Sequence, residues 1–184
     1  IFTLILPQID LSIRSLVIFE LESPLFLTSV KTNRIFPCLE KLTLVNWTDE
    51  KLFKFLDVLH EMKHFHKLVI QALDLTKSIK NIDMLNKILG TNDNRLTYVN
   101  FDHECDALEL NQNETNQMIF PNIEHLDIEL QTAKDLYELV KLTPNVKELC
   151  ITMKCQWEIV SFEHHQFIYL TKFCVYSTDH NASF

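Results

Sequence analysis

The stretch Phe120-Pro121-Asn122-Ile123-Glu124-His125-Leu126-Asp127-Ile128 decides how this 184-residue chain is read. Its skeleton is an apolar anchor, Ile123, then Leu126 and then Ile128. The same skeleton stands at Phe36-Pro37-Cys38-Leu39-Glu40-Lys41-Leu42-Thr43-Leu44 and at Thr143-Pro144-Asn145-Val146-Lys147-Glu148-Leu149-Cys150-Ile151. An internal repeat of this kind decides architecture before any single motif is weighed.

Worked outward, the template apolar-x-x-apolar-x-apolar fits Ile13/Leu16/Ile18, Leu39/Leu42/Leu44, Phe65/Leu68/Ile70, Leu96/Val99/Phe101, Ile123/Leu126/Ile128, Val146/Leu149/Ile151 and Leu170/Phe173/Val175. Successive anchors are 26, 26, 31, 27, 23 and 24 residues apart. Ile1/Leu4/Leu6 fits as the tail of a truncated unit. Within each unit the last positions alternate apolar, polar, apolar, which predicts a short strand with one buried face. The strands lie too far apart for hairpins, so each interval must carry a crossover that starts the next strand parallel to the last.

Several intervals have helical spacing. Leu52, Phe55, Leu56, Leu59 and Met62 form one apolar stripe, with Thr48 or Asp49 placed as N-cap. Leu136, Leu139 and Val140 form another, opened by Thr132-Ala133-Lys134-Asp135 in a capping-box-like order. Ile82, Leu85, Ile88 and Leu89 form a third, with Gly90 expected as C-cap. Pro24 suits a first helical turn in residues 23–34, and the polar run 111–117 reads as an inserted loop. Strand plus helix, repeated about every 26 residues, predicts an α/β solenoid of about seven repeats. A curved parallel sheet would line its concave side, with helices and loops on the convex side. A doubly wound α/β domain would need longer apolar strand runs and a Gly-rich first turn, and the chain has neither.

Composition narrows the function. A net charge of −8 disfavours nucleic acid, which requires clustered Lys and Arg. Gly90 is the only glycine, so P-loop, Rossmann and Gly-x-Ser-x-Gly sites fail for want of their turns. Five cysteines, with no Cys-x-x-Cys pair, predict reduced thiols and an intracellular setting, cytoplasm or nucleus. No apolar run approaches the roughly 18 residues of a membrane span. The chain opens at Ile1 inside an apolar segment, so residues 1–184 read as one repeat domain cut from a longer protein.

The units resemble irregular leucine-rich repeats of the F-box-associated and ribonuclease-inhibitor-like kind, on the Phe-Pro-x-apolar-x-x-Leu-x-apolar openings at Phe36 and Phe120. That resemblance implies a module that recognises other proteins, in the narrower form the substrate-recognition repeats of an F-box-type ubiquitin ligase adaptor. The family's Asn or Cys ladder would fall at Leu21, Trp47, Leu73, Glu104, Gln131, Lys154 and Thr178, where neither residue stands.

The positions between the buried ones should face the concave surface and form rows about 4.8 Å apart. The first row is Ser15, Lys41, Lys67, Tyr98, His125, Glu148 and Lys172; the second is Val17, Thr43, Val69, Asn100, Asp127, Cys150 and Cys174; the third is Phe19, Val45, Gln71, Asp102, Glu129, Thr152 and Tyr176. The candidate partner-binding face is Tyr98, Asn100, Asp102, His125, Asp127, Glu129, Glu148 and Cys150, whose acids suit a basic or hydrogen-bonding segment. A second candidate is the apolar set Val17, Phe19, Val45 and Val69. His64, His66, His103 and the pair His164-His165 lack metal-ligand spacing, and no catalytic constellation has a supporting motif. The expectation is a non-catalytic protein-binding module with no cofactor, metal, nucleic-acid or membrane partner. An extracellular or structural recognition domain, with sequons at Asn46, Asn113 and Asn181 used and Cys150 bridged to Cys174, is the alternative. An enzyme without a recognisable motif ranks third.

Overall fold

A computed structural model describes residues 12–19, 36–75, 79, 81–108, 110, 118–154 and 168–177. The truncated unit at Ile1, the segment 23–34, the loop 111–117 and the His164-His165 pair lie outside the described residues. The fold is α/β: one seven-stranded parallel sheet with helices, not closed into a barrel. Its strands are β1 (Ser15–Phe19), β2 (Lys41–Val45), β3 (Lys67–Gln71), β4 (Tyr98–Phe101), β5 (His125–Leu130), β6 (Glu148–Met153) and β7 (Lys172–Ser177). They are ordered in space as in sequence, and each pairs in parallel with the next. The crossovers carry α1 (Asp49–Leu56) with a 3-10 turn (Asp57–Glu61), α2 (Asn81–Leu89), a short α3 (Thr91–Asn94) and α4 (Ala133–Leu142).

Every strand starts two residues after its anchor, and the same turn precedes four of them. The anchor N–H donates to the carbonyl three residues back at Leu39, Phe65, Ile123 and Val146, at 3.2–3.4 Å. Between units the pattern is equally uniform: Lys41 N–H bonds Arg14 C=O, Lys67 bonds Glu40, Tyr98 bonds His66, His125 bonds Thr97, Glu148 bonds Glu124 and Lys172 bonds Lys147. The anchors and strand positions predicted as apolar form the core in the middle units: Leu42, Leu44, Leu68, Ile70, Val99, Leu126, Ile128, Leu149 and Ile151 are all buried. They pack against Leu52, Phe55 and Leu56 of α1, Leu85, Ile88 and Leu89 of α2, and Leu136, Leu139 and Val140 of α4. The end strands are less covered. Ile13, Leu16 and Ile18 are half-buried, and Phe173, expected in the core, is 48% exposed. An end strand has only one flanking strand to help cover it.

Side chains tie unit to unit. Asn122 Nδ2 donates to Asn94 C=O at 2.7 Å, and Asn145 Nδ2 donates to Pro121 C=O at 2.9 Å. These are the asparagines of the two Pro-Asn pairs, each reaching back to the preceding unit. At two junctions the residues that follow the anchors pair in charge, Arg14 with Glu40 and Lys147 with Glu124. No Asn or Cys ladder runs through the expected positions, but three side chains after the strands bond back to the preceding unit. Trp47 Nε1 reaches Ile18 C=O at 3.3 Å and Gln131 Nε2 reaches Ala107 C=O at 3.3 Å. In the fourth unit Cys105, not Glu104, holds that position: its sulfur contacts Ile70 C=O and Leu73 N–H, each at 3.4 Å. Burial pushes the Cys105 thiol up to about 12, so it stays protonated and donates.

The capping-box reading of α4 holds in atomic detail. Thr132 Oγ1 accepts from Asp135 N–H while Asp135 Oδ2 accepts from Thr132 N–H at 2.8 Å, and Asp135 Oδ1 takes Leu110 N–H at 2.8 Å. Gly90 differs from its expected role. It is right-handed (φ −80°), and the left-handed residues that end this helix are Asn92, Asp93 and Asn94. The need for glycine is spatial: a Cβ there would sit 2.9 Å from Asn86 C=O and 3.4 Å from the Phe120 ring. Asn92, fully buried, donates from Nδ2 to Phe65 C=O at 2.6 Å and so anchors the turn before β4.

Candidate functional site

The register sets the first row as Ser15, Lys41, Lys67, Tyr98, His125, Glu148 and Lys172, and the second as Val17, Thr43, Val69, Asn100, Asp127, Cys150 and Cys174. Alternation turns these residues away from the apolar core, onto the sheet's open face. In the first row contacts run sideways across four strands. The Tyr98 and His125 rings lie 5.7 Å apart, His125 Nδ1 is 3.3 Å from Glu148 Oε2, and Lys172 Nζ is 4.0 Å from the same oxygen. In the second row Asn100 Nδ2 donates to Asp127 Oδ2 at 2.9 Å. Cys150 follows Asp127, and Cys174 follows Cys150.

These side chains enclose a cleft of about 110 Å³ lined by Tyr98, His125, Asp127, Glu148, Cys150 and Lys172 over a floor of Val99 and Leu126. Its size suits one amino-acid side chain and falls below the roughly 300–1,000 Å³ of small-molecule pockets. The cleft tunes its own acids. Burial raises the pKa of Asp127, with Lys172 and the Asn100 amide opposing the shift. Burial also raises Tyr98, helped by the negative charge of Asp127. Asp127, its pKa raised by burial, already accepts from the Asn100 amide and would gain from an approaching cation, which restores what desolvation removes.

Six of the eight expected face residues meet here: Tyr98, Asn100, His125, Asp127, Glu148 and Cys150. The other two, Asp102 and Glu129, lie beside it and share a neighbouring cleft of about 280 Å³ with Asn100, Asp127, Thr152 and Tyr176. Strand β4 ends at Phe101, so Asp102 belongs to the following turn. Its Oδ1 accepts from Ala72 N–H and Glu104 N–H, each at 3.1 Å, which makes it a brace between units. Beyond β4 the segment at Leu108 joins β5 instead, with Leu108 N–H bonded to Glu129 C=O at 2.9 Å. Glu129 is 3% exposed, with Lys154 Nζ 3.1 Å from its carboxylate. It shares the row with Thr152 and Tyr176 but is not offered to solvent. The face is therefore less acidic than expected: Asp127 and Glu148 stand against Lys172.

Lys172, in the first row but not among the expected site residues, lines the cleft through its contact with Glu148 and its effect on Asp127. The apolar candidate surface is also narrower. Val17 (52%) and Phe19 (60%) are exposed on β1, Val45 is half-buried, and Val69 is buried between its row neighbours. Among the described residues, no group of three or more His, Cys, Asp or Glu side chains is placed to hold a metal ion. Nor is any helix there long and apolar enough to cross a membrane. The chain matches no protein-family model, no curated protein and no solved structure.

Proposed function

We propose that this chain is a non-catalytic protein-interaction module of the leucine-rich-repeat solenoid type, and that it docks a partner segment on the open face of β4–β7. The in-order parallel sheet, its uniform register and the backward bonds of Asn122 and Asn145 support the solenoid reading. The observation that carries the docking reading is the side-chain-sized cleft fed by four consecutive strands. Its partner chemistry follows from Asp127, a partly desolvated acceptor: a Lys or Arg side chain entering the cleft gains a charge-assisted hydrogen bond there. The rings of Tyr98 and His125 and the Glu148 carboxylate supply the surrounding contacts. The narrower reading, substrate recognition within an F-box-type ubiquitin ligase adaptor, rests on the sequence resemblance; an F-box encoded upstream of Ile1 supports it and a secretion signal there opposes it.

An array of basic, neutral and acidic peptides tests the docking reading. Basic peptides should bind best, and binding should weaken as salt rises. Equal retention of acidic and basic peptides would overturn it.

A further inference from the structure

We propose that Cys150 and Cys174 form a two-thiol site for a soft monovalent cation, with copper(I) the ion whose coordination habit fits. The inference does not rest on the docking reading, although Cys150 also lines that cleft. The two cysteines are register partners on adjacent parallel strands β6 and β7. Both are free and half-buried. Each thiol acts on the other electrostatically, as does Tyr176, two positions along β7 from Cys174.

Geometry selects the occupant. Directly opposed side chains on parallel strands stand about 4.8 Å apart and run parallel. A disulfide needs Cβ atoms roughly 3.5–4.5 Å apart, so bridging requires the strands to pinch together. A single ion seated between two sulfurs spans the gap with both strands in place. The described residues offer no group of three or more His, Cys, Asp or Glu, so what they supply is a pair of sulfurs, which suits an ion that takes two ligands. Soft thiolate pairs favour copper(I), which is content with two ligands. Two S–H groups release their protons to solvent, two S–Cu bonds form and no oxidation state changes. Burial and Asp127 oppose the resulting single negative charge more than Lys172 favours it, so uptake should strengthen as pH rises.

The test uses the full chain, reduced and under anaerobic conditions, with copper(I) delivered from a coloured chelator. Wild type should take one ion more tightly than the double variant C150S, C174S, whose three remaining cysteines set the background. Either single substitution should weaken that ion by more than the roughly 10–100-fold typical for loss of an outer partner, whereas Cys38→Ser should leave it unchanged. Equal uptake by wild type and the double variant would overturn the proposal, as would loss of the ion in Cys38→Ser. Should a serine variant fail to fold, wild type alone decides by alkylation and peptide mass spectrometry. Copper(I) should protect Cys150 and Cys174 together and leave Cys38 reactive. Unchanged alkylation of the pair, or equal protection by zinc(II), would overturn it.

Discussion

Asp127 ionises at a cost, because its half-buried position raises its pKa above the ordinary carboxylate value. The sign of the effect on stability follows by linkage. The folded chain holds the proton more tightly than the unfolded chain, so this stabilisation is full below the unfolded pKa. It is lost as pH rises from that value through the raised folded one, and the penalty is then constant. Asp127→Asn should therefore raise the unfolding temperature at pH 7 and change it little at pH 3, where the carboxyl is neutral in both states. The same shift at both pH values would contradict the assignment. Ala72 is a second residue held at a cost. It sits at φ 52°, left-handed, directly after β3, while the matching turn after β2 uses Asn46 at φ 58°. L-residues other than Asn, Asp and Gly resist this region by roughly 1–2 kcal/mol, so Ala72→Asn should raise the urea midpoint by an amount equivalent to about 1 kcal/mol. A lowered midpoint would count against the turn geometry.

Among the elements, α4 depends most on one side chain. Asp135 closes the capping box with Thr132 and also satisfies Leu110 N–H, and it is buried. Asp135→Ala removes the cap and strands buried donors, and should cost about 2 kcal/mol in equilibrium unfolding. A loss within error of zero would mean that the cap is dispensable. Much of this level could be read from residue spacing. Alternation located the strands and their rows, since period two and a fixed distance from the anchor leave little choice. Two of the expected face positions also carry structural duties that spacing does not show. Asp102 follows the last residue of β4, and Glu129, on β5, is buried beside Lys154. Asp102 is taken up by Ala72 and Glu104 N–H, and Leu108 then occupies the place beside Glu129. Neither contact is encoded in local periodicity. Gly90 is not a left-handed C-cap because Asn92, Asp93 and Asn94 take that conformation instead, and a Cβ at Gly90 would meet the Asn86 carbonyl first and the Phe120 ring second.

Across the whole molecule, burial is graded from the middle of the sheet to its ends. Strands β2 to β6 bury their core faces fully, while Leu16 and Ile18 on β1 are half-buried and Phe173 on β7 is half-exposed. Amide hydrogen exchange should be slowest in β3–β5 and fastest in β1 and β7, because local opening exposes least apolar surface at the ends. Uniform protection over all seven strands would indicate a single cooperative unit instead. The backward bonds of Asn122 and Asn145 explain how neighbouring units keep register, and their signal was present in the recurring Pro-Asn pair. Its meaning required the position of the preceding unit's carbonyl, which only the stacked arrangement supplies.

Affinity for the best basic peptide, titrated against folded Asp127→Lys and folded Lys41→Glu, tests most directly whether the open face of β4–β7 is the docking surface. Lys41 lies in the first row but on β2, away from the cleft. The account predicts that Asp127→Lys weakens binding at least tenfold, or about 1.4 kcal/mol, and that Lys41→Glu does not weaken it. Undiminished binding by Asp127→Lys, or equal weakening by both, would contradict it.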